Sequence, residues 1–442
     1  MGIIILIIAA VIEVGFGVYC IKTKCNHKKT ISWVRISAFA TFVIFTLVSF
    51  IQWSFRWKLL AVILLIWTII GGVSLIRKKE NKIAYKAARI VFKAIAMWLI
   101  VVIAVTPALI FPQYKIPKVT GKYEVKTEVY TYTDNNRIET FNDKGEKRKV
   151  NVEFWYPENA NGSYPLVVFS HGAFGIKTSN TSTYRELASN GYIVCSIDHP
   201  YHSLFTVDKD GKATIVDRSF MQEITDCNND VYDHETNYKL AHKWLKIRTQ
   251  DMNFVLDTII KNAKDDVTSK VYKLIDTDKI GLLGHSLGGA ASAQLGRERH
   301  DIDAVINLDS DLFGEELGYV NGKYVINHKI YPVPILSIYT DAMKQLMDRV
   351  TDPNIVIPQK LISATSPKAY EVYISGTNHL SLTDLPLLSP FLVNMIGSSI
   401  KKSGSEQGAD KYHVIKTMNS KVLEFFDCYL KGIGSFHSGG DY

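Results

Sequence analysis

The chain has 442 residues, 47% of them hydrophobic and 21% charged, with a formal net charge of +8. That near-average composition excludes a disordered or collagen-like chain. The positive balance is no signal for nucleic acid, because it sits at one end: residues 1–118 carry 16 Lys and Arg against Glu13 and Glu80, while the rest carries 35 basic and 41 acidic side chains.

Four apolar stretches fill the first 112 residues, approximately 3–21, 36–53, 59–76 and 90–111. Crossing a bilayer takes ~20 apolar residues, and each stretch comes within range. A cleaved signal peptide would need a basic segment ahead of its apolar core, and residues 1–10 have none. Residues 1–112 are therefore expected to form a membrane domain of four transmembrane helices. Glu13 lies inside the first of them, either as a functional carboxylate or as a side chain paired within the bundle. The first loop holds Lys22, Lys24, Lys28, Lys29 and Arg35, and the third holds Arg77, Lys78, Lys79, Lys82, Lys86 and Arg89. The second has only Arg56 and Lys58. Positive loops stay in the cytoplasm, so the amino terminus and everything after Phe111 are expected outside.

Residues 113–121 read as a linker, with Pro112 and Pro117 as punctuation. Beyond it the pattern alternates strand and helix. Residues 123–132 and 150–155 read as period-two strands around a polar turn containing Asp143, Lys144 and Gly145. Short apolar runs at 166–169, 192–197, 280–283, 304–308, 335–339 and 370–374 suit buried parallel strands. Helical patterns at 183–189, 242–260 and 289–297 separate several of them. This alternation predicts one large α/β domain over 122–442, built on a mostly parallel sheet with helices on both faces. Residues 203–240 break the rhythm, being polar and too long for an ordinary connection, and are expected to form an insertion or lid.

Cys195 sits in an apolar strand as a core thiol, and nothing in the sequence brings Cys227 and Cys428 together. No Cys/His spacing suggests zinc, and His199 and His202 are read as structural.

The chemistry is carried by Gly284-His285-Ser286-Leu287-Gly288, a G-x-S-x-G sequence that follows an apolar strand and opens a small-residue helix. In that context Ser286 sits on a strained turn, and the glycines let the chain reverse without a Cβ clash. Its hydroxyl is then exposed at a helix N-terminus, where the Leu287 N–H can help to bind an oxyanion. A serine needs a base, and His379 follows the last apolar strand, late in the chain as the order Ser…Asp…His requires. The loop after an early strand, residues 167–173, offers Gly172 for access and the Ala173 N–H as the second oxyanion donor. For the acid, Asp309 and Asp341 each end a strand after the nucleophile helix, and Asp311 lies two residues past the first; pattern alone leaves the choice open.

From about Val119 to Gly432 the chain resembles the α/β-hydrolase family of platelet-activating-factor acetylhydrolases, the plasma type and its bacterial relatives. The likeness rests on VTGKY at 119–123 with FWYP at 154–157, PLVVFSHG at 165–172, GHSLGG at 284–289 and NLD at 307–309. It implies hydrolysis of short or oxidised acyl esters of phospholipids, or of other small esters, without metal or cofactor. It also implies Ser286 as nucleophile, Asp309 as acid, His379 as base, and the Ala173 and Leu287 amides as the oxyanion hole. The sequence departs at His199-Pro200-Tyr201, where relatives often have Arg-Asp after the histidine, and in the 203–240 insertion; both regions shape the pocket. The expectation is a membrane-anchored extracytoplasmic serine esterase whose partners are a lipid or small ester and the bilayer. An acyltransferase or peptidase using the same triad, or a catalytically idle membrane sensor or transport component, are the alternatives.

Overall fold

The computed structural model describes residues 1–77, 85–265, 269–350, 355–399, 408–437 and 442. They form two compact units, Met1–Lys115 with Leu388–Asn394, and Ile116–Leu387 with Met395–Tyr442.

The first unit contains helices α1 (Gly2–Thr23), α2 (Lys28–Leu47), α3 (Phe55–Ile76) and α4 (Ala87–Ile110). All four are long and apolar enough to cross a membrane. α1 packs on α4, α4 on α3, and α3 on α2. Phe42, Trp57, Leu60, Val101, Ala104 and Val105 form the centre of the bundle. Backbones approach closely at Gly71, where a Cβ would stand 3.2 Å from the Ser32 carbonyl oxygen. Ile3, Ile7, Val11, Ile66, Ile70, Phe92 and Ile103 point outward. Helices apolar on every side suit lipid rather than water. α2 begins before the apolar stretch expected at 36–53 and ends earlier, since backbone hydrogen bonding runs through Lys28, Lys29 and Arg35, and a turn with Ser49 at φ 59° ends it. Lys78, Lys79 and Lys82 of the third loop lie outside the described residues. Leu388–Asn394 joins this unit, and Ser389 Oγ donates a 2.6 Å bond to the Ile110 carbonyl at the end of α4.

In the second unit the strands are β1 (Val125–Ile138), β2 (Lys147–Pro157), β3 (Tyr164–Ser170), β4 (Ile193–Asp198), β5 (Phe205–Val207), β6 (Ala213–Ile215), β7 (Ile275–His285), β8 (Ala304–Leu308), β9 (Glu316–Val320), β10 (Lys323–Ile326), β11 (Ile335–Thr340) and β12 (Ala369–Ile374). Eight make one sheet in the order β1-β2-β4-β3-β7-β8-β11-β12. β1, β2 and β4 are joined antiparallel, and every pair from β4 to β12 is parallel. The remaining four form two small hairpins. The principal helices here are α5 (Thr181–Ser189), α6 (Arg218–Asn228), α7 (His234–Asp265), α8 (Leu287–Glu298), α9 (Asp341–Arg349) and α10 (Lys411–Lys431).

Alternation along the central strands sends apolar side chains to both faces. Leu166, Val168, Ile280 and Leu282 pack under α7 and α8, with Met252, Leu256 and Ala290. Val167, Phe169 and Leu283 pack under α5 and α10, with Tyr184, Phe425 and Phe426. Cys195 is a core thiol in β4. The 203–240 stretch holds the β5–β6 hairpin, α6 and the first turns of α7. Its polar composition hides a few apolar side chains, Val216, Phe220 and Ile224, that gather on one side in a cluster with Trp244.

Phe426 lies fully buried against β7, where a Cβ on Gly281 would stand 2.7 Å from its ring. Phe426→Ala is expected to cost ~3–5 kcal/mol, because the rigid strand cannot collapse into the cavity. Thermal unfolding of the detergent-solubilised chain should show a clear drop in midpoint, while Val320→Ala, at an exposed hairpin position, should leave it unchanged.

Candidate active site

Parallel strands bring their carboxyl ends to one edge, and the loops leaving β3, β7, β8 and β12 meet there. β7 leads through Ser286 into α8, and Ser286 holds φ 53°, ψ −128°. The neighbouring glycines are required by close backbone contact. A Cβ on Gly284 would lie 2.1 Å from the Gly288 carbonyl oxygen, and one on Gly288 2.0 Å from that of Ser170. Leu287 is the first residue of α8, so its N–H is among the amides that no intrahelical carbonyl accepts. The loop after β3 passes beside the serine, since a Cβ on Gly172 would stand 3.0 Å from Ser286 Cβ.

Asp309 follows β8 with φ 52°, a second strained position next to the first. Its Oδ1 accepts 2.8 Å bonds from the Thr340 amide and hydroxyl, and its Oδ2 lies 2.7 Å from His379 Nδ1. A carboxylate can only accept, so Nδ1 carries the proton and Nε2 keeps a lone pair. Asp341 is turned elsewhere: it opens α9 and its Oδ2 accepts from the Gly376 amide at 2.7 Å. Asp311 is contacted by Gln359 Nε2 at 3.3 Å.

His379 heads a short 3-10 turn, His379–Leu382, held by reciprocal bonds between Asn378 and Ser381. Two further ties fix that turn to α5. Asn180 Nδ2 donates to the Leu382 carbonyl at 2.7 Å, and Asp384 accepts from the Ser182 amide and hydroxyl. Burial pushes the Asp384 carboxyl up to about 6. From the other side, His285 Nε2 donates to the His379 carbonyl at 2.9 Å, with ring centroids 4.6 Å apart. Burial, then the nearby charge of His379, pulls His285 down to about 3, so its ring is neutral.

The electrostatics of the pair follow from competing effects. Burial would raise the Asp309 carboxyl, but the hydrogen bond and charge of His379 and the Thr340 donors outweigh it and hold it below the usual carboxylate range. Burial would lower the His379 ring, but Asp309, bonded and charged, prevails and holds it above its ordinary 6.5.

Sequence reasoning missed a buried polar network behind the β3 loop. Arg248, from the inner face of α7, is wholly buried beside His171, His199 and His202. Asp251, one turn on, pairs with Arg148 and Arg137 and lies 3.1 Å from His199 Nδ1. His199 Nε2 in turn meets Ser170 Oγ at 2.9 Å. A signal was present: Arg248 stands four residues from both Trp244 and Met252, on the apolar stripe of its helix. Among the described residues, no group of three His, Cys, Asp or Glu side chains is placed to hold a metal ion.

A strand–turn–helix serine and a strand-end aspartate bonded to a late histidine, set on this sheet, define the α/β-hydrolase class. A family model described as platelet-activating factor acetylhydrolase, isoform II, matches residues 145–437, well over half of the chain. The chain belongs to that family. It is 33% identical over 166 residues to a platelet-activating factor acetylhydrolase of Canis lupus familiaris, covering 35% of this chain and 36% of that one. A second, from Cavia porcellus, is 22% identical over 296 residues, covering 64% and 61%. The match thus spans less than two thirds of either relative's length. A ferulic acid esterase from Streptomyces cinnamoneus shares the fold, with TM-score 0.51 and 20% identity over 72% of this chain and 94% of that one.

If the neutral ring of His379 takes the serine proton, labelling of Ser286 by a fluorophosphonate should rise with pH and reach half-maximum above pH 6.5. Asp309→Asn leaves burial unopposed, so the limb should move to lower pH while the rate falls by about 10⁴-fold, the cost of losing the correct tautomer. Asp341→Asn should change the rate by less than about 10-fold, since Asp341 accepts from the Gly376 loop amide and not from His379.

Proposed function

We propose that this protein is a membrane-anchored serine ester hydrolase acting on acyl esters of lipid-like or small alcohols. The observation that carries the reading is the 2.7 Å contact of His379 Nδ1 with buried Asp309, beside the strained Ser286 elbow. Ser286 Oγ attacks the ester carbonyl as His379 Nε2 takes its proton. The oxygen that becomes negative is met by the N–H groups of Ala173 and Leu287. His379 then returns the proton to the leaving alcohol, and the acyl group stays on Ser286. A water molecule, deprotonated by the same ring, releases the acid and restores the serine.

Ala173, Phe174 and Leu287 pack in one apolar cluster with Val216, Phe220 and Ile224 of the insertion, and with Trp244 and Phe313. Apolar side chains packed so near the proposed oxyanion position favour a short acyl group, in keeping with the word acetylhydrolase in the relatives' names. Acetyl and butyryl p-nitrophenyl esters should therefore be cleaved faster than palmitoyl esters, and Phe220→Ala should narrow the difference. Each buried CH₂ gains only ~0.8 kcal/mol, so a steric clash with this cluster would outweigh the gain from a longer chain. Rates that climb steadily with chain length would overturn the short-acyl reading. Loss of both hydrolysis and probe labelling in Ser286→Ala tests the hydrolase reading itself.

The excess of Lys and Arg in the first loop over the second favours a cytoplasmic first loop and a catalytic domain on the extracytoplasmic side. A reporter active only in the cytoplasm should work when fused after Lys29 and fail after Lys118; activity after Lys118 would reverse the orientation.

A further inference from the structure

Arg248 has no place in the reaction as written, yet it is wholly buried and its guanidinium spreads over the loop that follows β3. Nη1 donates to the His171 carbonyl at 2.7 Å, Nη2 to the Gly172 carbonyl at 3.1 Å, and Nε to His202 Nδ1 at 3.2 Å. The Gly172 carbonyl also accepts from His171 Nδ1 at 2.6 Å, and that ring is held by Ser203 Oγ at 2.8 Å from its Nε2. His202 is itself fixed, stacked 3.8 Å from the Phe220 ring. A buried cation is costly unless its donors are matched, and here they are spent on two consecutive peptide carbonyls.

The consequence comes from peptide geometry. The Gly172 carbonyl and the Ala173 N–H belong to one planar trans amide, in which the two groups point in opposite directions. Fixing the oxygen toward Arg248 therefore fixes the N–H away from it. A cation on the oxygen also polarises the amide and strengthens its N–H as a donor. We propose that Arg248 is a positioning residue that aims and polarises the Ala173 amide for the oxyanion. Lys would not replace it, because a point charge cannot fork across two carbonyls. The inference rests on the reading of Ala173 as an oxyanion donor.

The test uses the full-length protein in detergent, with steady-state hydrolysis of p-nitrophenyl acetate and inhibition by a boronic acid whose anionic adduct fills the same hole. Loss of a whole oxyanion donor costs about 10²–10³ in kcat, so misaiming one should cost about 10- to 100-fold. Arg248→Met should show that loss in kcat with KM within about threefold of the parent, and a boronate Ki raised by the same factor. Arg248→Lys should recover little of it. Ser203→Ala, a one-atom deletion that spares the fold, should give a smaller loss of the same kind through His171. Folding of each variant is checked by its thermal midpoint. Parent-like kcat in Ser203→Ala and in whichever Arg248 variants fold overturns the inference; so does a kcat loss without a matching loss of boronate affinity. If Ser286→Ala still hydrolyses the ester, the hydrolase reading falls and takes this inference with it; Ser286-dependent hydrolysis with unaffected Arg248 variants sinks the inference alone.

Discussion

The bond between His379 and Asp309 is the interaction around which the second unit is arranged. A carboxylate that is 2% exposed would ordinarily be expensive to ionise. It is kept charged by donors from three directions, the His379 ring and the amide and hydroxyl of Thr340. Thr340 ends β11 and Asp309 follows β8, so the pairing of these two parallel strands sets those contacts. The Asp309 amide donates to Ile338 of β11, and the Ser286 amide donates to Leu308 of β8. Both residues hold positive φ at the same sheet edge, each at a cost of ~1–3 kcal/mol. A sheet sealed on both faces by apolar helices supplies the rigidity that keeps them there.

Much of this was legible in the sequence because strand and helix periodicity, and the glycines of an elbow, are local signals. Ser286, its strand and its helix all fall within 24 consecutive residues, 275–298. The acid was different. Asp309 and Asp341 both terminate neighbouring parallel strands, and no pattern distinguishes them. What separates them is tertiary: Asp309 leaves the strand at φ 52° toward His379, whereas Asp341 begins a helix and bonds the Gly376 amide. Helix α2 shows a smaller version of the limit. Hydropathy marks which residues lipid tolerates, not where backbone hydrogen bonding starts, so it gives no sign of the polar first turn at Lys28 and Lys29.

The histidines behind the β3 loop illustrate the same point on a larger scale. The sequence places no carboxylate or thiol close to His199 and His202, and the carboxylate that His199 meets is Asp251, about fifty residues further on. Burial and the positive charge of Arg248 keep His171 and His202 well below the usual imidazole range, and His199 falls to about 3. The rings thus act as neutral donors and acceptors of fixed sense rather than as acids or bases. Arg148, bridging Asp251 and Glu139, places a second buried cation among acids so that charge is matched within the network. Neutral rings and matched charges make the region rigid without making it titrate near neutral pH.

The two units differ in the surfaces they present, as the proposed membrane anchoring requires. In the second, apolar side chains turn inward to clusters on either face of the sheet, and every residue of the proposed chemistry comes from within it. The first presents Ile, Val and Phe on its outer surfaces and holds only a small internal cluster, an arrangement that water would penalise and hydrocarbon would not. Ser286, Asp309 and His379 all belong to the second unit. The first unit's proposed contribution is therefore one of place rather than chemistry. Confining a hydrolase to a bilayer raises the effective concentration of membrane-borne esters around it, a gain that needs no new contact in the active site. That division also accounts for where the family match falls: it starts at residue 145, on the fold that carries the chemistry, and leaves the four helices outside.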